Sequence, residues 1–141
     1  MTVSENIELV RQATDAFNKE GAIGMAEFMD DAVIDHFATG REPLKGKQAF
    51  IEDNIAFEKI FANLKVEVTN IFGQNEWVCV QGVMTGTHQA PFTLHNGKQL
   101  QPTGRTIRIP ISNVAKVENG KITEIHEYFD QMSFMTQLKA L

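Results

Sequence analysis

The stretch Gly120–Asp130, GKITEIHEYFD, brings His126, Tyr128 and Asp130 together in one run with two-residue alternation. On a strand, successive side chains point to opposite faces. Ile125, Glu127 and Phe129 then share one face, and Glu124, His126, Tyr128 and Asp130 share the other. The second set is either a solvated sheet face or the polar floor of a pocket. In a pocket, Asp130 is the residue expected to do chemistry. A carboxylate whose pKa is raised by apolar surroundings can take up a proton and return it near neutral pH. The alternative for Asp130 is structural, because Asp ahead of a helical segment is a favoured N-cap. His126 lies four residues earlier, about 13 Å along an extended strand. The two cannot form a dyad. The Tyr128 hydroxyl could orient a substrate oxygen, or its ring could simply be half-buried.

Three further side chains are candidates for contacting a substrate. Asn113 interrupts the apolar series Ile107, Ile109, Ile111, Ala115 and Val117, so its amide either bonds the backbone at a bulge or faces a ligand. His88 shares a strand face with Val78, Val80, Gly82, Met84 and Gly86. His36 follows Asp35 in a short extended segment. No metal site is expected, since His36, His88, His95 and His126 fall at no ligand spacing and no HxH, HxxxH or CxxC occurs. GxGxxG and the phosphate loop are absent too, so no cofactor is expected. The single cysteine, Cys79, reads as packing beside Trp77.

The elements that must hold these residues change character midway. Helical spacing begins near Ser4 and Ile7 and runs through Val10, Ala13 and Phe17, with Gly21 as a stop. A short helix is expected over Ala22–Met29, an extended segment over Ala32–Ala38, a loop over Thr39–Lys47 and a third helix over Lys47–Asn63. The third carries Phe50, Ile51, Ile55, Phe57, Ile60 and Phe61, a set wide enough to predict deep burial against a sheet. Strands follow at Lys65–Phe72, Trp77–Gln89, Arg105–Val117 and Gly120–Asp130, with a loop at Ala90–Gly104. Asn119-Gly120 predicts a tight hairpin. The tail Gln131–Leu141 returns to helical spacing. Helices segregated from strands indicate an α+β domain.

With 141 residues, one domain spanning the whole chain is expected. A net charge of −5 and the lack of any Lys/Arg cluster argue against nucleic acid. MTVSENIELV lacks a basic region followed by an apolar core, so a secretory signal is not expected. No apolar run approaches the roughly 20 residues of a membrane-spanning helix. A cytoplasmic protein without a membrane partner is the expectation. Val83, Thr85 and Thr87 form an uncharged outward set, from which a homodimer is expected.

GTHQAPF at Gly86–Phe92, PTGRTIRI at Pro102–Ile109 and NGKITEIHEYFD at Asn119–Asp130, together with the early helices and Gln137-Leu138, resemble the SnoaL-like polyketide cyclases. That family has the cone-shaped fold of nuclear transport factor 2. The resemblance implies three N-terminal helices packed in the concave face of a curved antiparallel sheet. It also implies a pocket for a hydrophobic small molecule, and cofactor-free aldol chemistry by an acid at the end of the last strand. Asp130 matches that acid, His88 the histidine after Gly-Thr, His36 the early histidine, and Asn113 a cavity-facing polar position. Because this fold hosts many reactions, two other readings stand beside the enzyme: a small-molecule binding protein without chemistry, and an assembly module.

Overall fold

The computed structural model describes residues 1–94 and 96–140. His95, one of the histidines considered above, lies outside them. The order is α1 (Val3–Ala26), β1 (Met29–Phe37), β2 (Leu44–Lys45), α2 (Lys47–Ile60), β3 (Phe61–Gln74), β4 (Trp77–His88), β5 (Phe92–Thr93), β6 (Gln99–Leu100), β7 (Thr106–Glu118), β8 (Lys121–Phe129) and α3 (Gln131–Gln137). Six strands form one sheet in the order β2-β1-β8-β7-β4-β3, and β5 with β6 makes a small ribbon in the expected loop. The α+β class is as anticipated. The sheet is mixed, not antiparallel, because β1 runs parallel to β8. Side-chain alternation does not record strand direction, so the sequence held no sign of this.

The helices also differ from expectation, since they are not all N-terminal. The first two predicted helices are one element, α1, kinked at Gly21, and the third helix of the domain is the C-terminal α3. Phe28 follows α1, and Met29 opens β1. Thr2 caps α1 in a capping box with Glu5. At Gly21 the backbone leaves the helix with φ 71. This frees the Ala22 N–H, which Glu58 of α2 accepts through Oε1 at 3.0 Å. A Cβ at Gly21 would come 2.2 Å from that same oxygen. Gly21→Ala is therefore expected to cost about 1–3 kcal/mol, from the positive φ and the displaced cap. A urea titration checks this, and an unchanged midpoint would contradict it.

The long strands pair in register from Thr106 opposite Thr87 to Lys116 opposite Trp77, and the β7–β8 hairpin turns at Asn119 (φ 50) and Gly120 (φ 74), as Asn-Gly predicts. All three helices lie on one face of the sheet. Beneath them are two apolar clusters. One joins Val10, Ala13 and Ala26 of α1 to Val78, Val80, Ala115 and Ile125. The other joins Phe134, Met135 and Leu138 of the C-terminal segment to Phe61, Ile107 and Ile109. Between them the sheet is incompletely covered. Along β7, Ile107 and Ile109 at one end and Ala115 and Val117 at the other are buried, while Ile111 and Asn113 are half-buried. The same gap explains why α2 is not sunk as deeply as its apolar set suggested. Within α2 only Phe50 is fully buried, while Ile51, Ile55, Phe57 and Ile60 keep partial exposure, and Phe61, expected in this helix, is buried as the first residue of β3.

Candidate functional site

The gap between the clusters is where the helix-covered face turns polar. On β8 that face carries Ile125, Glu127 and Phe129, opposite Ala115, Asn113 and Ile111 of β7. On β1 it carries Asp35 and Phe37, beside Ile125 and Glu127 respectively. Two carboxyl groups thus meet on the inner side of the parallel strand pair. Asp35 is completely enclosed at 0% exposure, and Glu127 is half-buried.

Asp35 Oδ1 and Oδ2 find no donor among the described residues. A buried carboxylate without a donor is costly, so burial favours the protonated form of Asp35 beside its neighbour Glu127. Burial, reinforced by the bond to Glu127 and its charge, pushes the Asp35 carboxyl up to about 10. Burial also raises Glu127, while the hydrogen bond with Asp35 pulls it back. One proton on Asp35, donated to the Glu127 carboxylate, would satisfy both groups, and a pair so coupled titrates as a unit. Asp53 of α2 and Arg41 of the β1–β2 loop act on both groups in opposite senses. They are themselves paired: Arg41 Nη1 donates to Asp53 Oδ2 at 3.1 Å, and Nη2 donates to Oδ1. The guanidinium lies 4.7 Å above the Phe37 ring. This clasp ties the β1–β2 loop to α2 beside the acid pair.

The remaining predicted residues divide by face. Asn113 stands directly across from Glu127 on the helix-covered face, half-buried, so its amide can reach a ligand in the gap. His88 shares that face but lies at the far end of β4, eight residues beyond Val80, the partner of Asn113. Over about 26 Å of strand, it belongs to the second cluster, 5.3 Å from the Phe61 ring. It is 1% exposed, and its Nδ1 accepts from the Thr103 N–H at 3.1 Å, so Nε2 carries the proton and has no partner among the described residues. His36, His126 and Tyr128 are on the opposite, open face of the sheet, with Tyr128 at 47% exposure. The face of GKITEIHEYFD carrying His126 and Tyr128 is thus the solvated one, and helices cover the other.

Asp130 ends up just past β8, exposed, as the N-cap of α3, where its Oδ1 accepts from the Ser133 N–H at 3.1 Å. The capping alternative describes its position. Asp130→Ala is expected to lower stability by about 0.5–2 kcal/mol through loss of this cap. Thermal unfolding compared with wild type checks it, and no change in Tm would contradict it.

The sequence carries a signal for Glu127 and Asp35. Each is a carboxylate in the apolar phase of its strand, between Ile125 and Phe129 and between Val33 and Phe37. An acid in phase with core residues is either satisfied inside or functional. Two surface depressions, of about 520 and 400 Å³, lie beside the N-terminus and Asn75–Glu76 and along the outer side of α1. Neither touches the acid pair.

The model of the SnoaL-like polyketide cyclases matches residues 7–138. Solved structures share the fold. One is a provisionally assigned SnoaL-like polyketide cyclase from Jannaschia sp. CCS1, 23% identical, covering 98% of this chain and 94% of that one with a TM-score of 0.83. A second is IdmH from Streptomyces antibioticus, also provisionally assigned as a polyketide cyclase, at 20% identity, 95% and 98% coverage and a TM-score of 0.79. A third is an epoxide hydrolase of the LEH-like type from M. tuberculosis, at 14% identity, 98% and 92% coverage and a TM-score of 0.75. Such different names on one backbone, at these identities, establish the fold and leave the reaction to the site. No protein of curated function matches the chain in sequence.

Proposed function

Because the chain belongs to the SnoaL-like polyketide cyclase family, we propose that it is a cofactor-independent enzyme moving a proton on a hydrophobic carbonyl compound, with Glu127 as the acid/base group. The observation that carries this reading is the Asp35–Glu127 pair set in the gap between two apolar clusters. A base for a proton α to a carbonyl needs a pKa lifted towards neutrality and a route to substrate. Burial raises Glu127, and the residue, unlike Asp35, keeps partial exposure. Asp35, fully enclosed, cannot touch substrate. It is a positioning residue whose proton holds the Glu127 carboxylate in place.

In the forward step the Glu127 carboxylate takes the α-proton, the C–H electron pair becomes the enolate, and Glu127 becomes neutral. The Asn113 side-chain amide, across from Glu127, donates to the enolate oxygen. If a second carbonyl of the same molecule lies within reach, the enolate carbon attacks it, one C–C bond forms, and protonated Glu127 returns its proton to the alkoxide. Without a second carbonyl, return of the proton to a different carbon gives isomerisation. Phe37, Phe57, Ile111 and Phe129, all half-buried around the gap, supply an apolar environment for the carbon skeleton. His88 and Asp130 have no part in these steps. This shifts the acid/base role from Asp130, the residue matched to the family's acid, to the carboxylate that faces the covered side.

The test is hydrogen–deuterium exchange into a panel of hydrophobic mono- and diketones in D2O, followed by mass spectrometry. Catalysed α-exchange that persists in excess chelator is the expected result. A compound retained by the protein with its α-hydrogens unexchanged would instead identify a binding protein.

A further inference from the structure

We propose that His36, Glu124 and His126 form a binding site for a divalent first-row transition-metal ion, with zinc as the best-suited occupant, on the open face of the sheet. This inference does not depend on the acid/base reading. The site is built by strand pairing. His36 of β1 and His126 of β8 are register partners in the parallel pair, so their side chains rise next to each other on one face. Glu124, two residues before His126, rises on that face as well. Linear spacing could not show this, because the two histidines are ninety residues apart and meet only through the parallel β1–β8 pairing.

The donor atoms are already gathered. The Glu124 Oε1 lies 2.8 Å from His126 Nε2 and 3.6 Å from His36 Nε2. One ligand atom from each of the three residues falls within 4.8 Å of the other two. Ligands about 2.0–2.1 Å from a tetrahedral zinc ion stand roughly 3.3 Å apart, between the two short separations here. Both Nε2 atoms lie near one carboxylate oxygen. The imidazole rings are stacked 4.4 Å apart with an interplanar angle of 6°, so a shared ion requires them to tilt until their in-plane Nε2 lone pairs converge. A simple Glu–His hydrogen bond would need only one histidine. A second, held in register against the same oxygen, is what indicates a shared cation.

Two imidazole nitrogens and one carboxylate oxygen suit zinc, cobalt, nickel or copper, and not the all-oxygen preference of magnesium or calcium. The side chains keep 35%, 31% and 30% exposure, so an ion can enter and water can take the fourth position. Lys116, the register partner of Glu124, is the nearby competing cation. Its Nζ is turned to Glu118 Oε1 at 3.6 Å and over the Trp77 ring at 5.7 Å. The same Trp77 ring lies 5.9 Å from that of His126 and walls one side of the cluster. A bound ion would bridge β1 to β8 at their parallel seam, with Asp35 and Glu127 on the far side of the same strands.

The experiment uses the full chain without an affinity tag, stripped of metal and titrated with ZnCl2 by calorimetry and with CoCl2 by visible absorption. One ion per chain, a cobalt d–d band and a rise in Tm of about 5 °C or more at saturating zinc are expected. His36→Ala and His126→Ala should each weaken binding by more than about 100-fold, beyond what loss of a merely supporting group costs. Lys116→Ala should retain it. Should either histidine variant fold poorly, nitrogen-15 NMR of the wild type decides instead, with zinc moving the Nε2 resonances of His36 and His126 and leaving that of His88 in place. Absence of saturable binding at one ion per chain, or undiminished affinity in the histidine variants, would overturn the proposal.

Discussion

Glu127→Gln is expected to reduce catalysed α-proton exchange by about 10²–10⁴-fold, the usual worth of a positioned general base. The amide keeps the size of the side chain and still accepts a hydrogen bond from protonated Asp35, so the fold should survive. Removing an ionisable group from a partly buried pair should leave Tm unchanged or higher. The comparison that gives the result its meaning is Asp130→Asn. That side chain is exposed and bonded to Ser133 N–H, so its replacement should leave the exchange rate within a factor of a few. If Asp130→Asn abolished exchange and Glu127→Gln did not, the acid/base role would return to the end of β8. Rates would be measured on the best ketone of the panel, with circular dichroism to confirm folding.

The second large effect concerns stability against pH. Asp35 is held protonated up to about 10, chiefly by burial, whereas an unfolded Asp titrates near 3.9. A carboxyl whose pKa is raised on folding contributes stability that is complete below the unfolded pKa and is lost as pH rises towards the folded one. Within that window the folded chain binds the extra proton, so wild-type stability should fall with increasing pH by up to about 1.4 kcal/mol per unit for one proton. Glu127, also raised, acts in the same direction. Asp35→Asn stays neutral throughout and still donates to Glu127. Its stability should be flatter from pH 5 to 9 and should exceed that of wild type at the alkaline end. Urea unfolding of both proteins across this range is the measurement, and parallel curves would contradict the assignment.

Much of the architecture was legible because local patterns agree with it. The switch from helical to two-residue periodicity near Leu64, the Asn119-Gly120 turn and the helical tail all correspond to observed elements. What could not be read is information that periodicity does not carry. Alternation in AVIDHF marks a strand at β1 without giving its direction or its neighbour, and the parallel pairing with β8 decides everything about the site. That pairing sets Asp35 against Glu127 on one side and His36 against His126 on the other. Alternation along β8 divided its side chains correctly between two faces, but not which face the helices would cover. Chemical richness favoured His126, Tyr128 and Asp130. The apolar company of Ile125 and Phe129 was the better physical signal, because neighbours of that kind go under helices and take Glu127 with them. Gly21 shows a smaller version of the same limit: its positive φ breaks the helical geometry as expected, yet the chain continues as helix because Glu58 accepts the freed N–H.

The central claim is that Asp35 and Glu127 share one proton beneath the helices, and carboxyl carbon-13 NMR titration addresses it most directly. With signals assigned through Asp35→Asn and Glu127→Gln, the Asp35 carboxyl should remain protonated through neutral pH, and the Glu127 resonance should titrate above the ordinary glutamate range. Two independent titrations near 4 would contradict the account, since they would mean that no proton is held between the two groups.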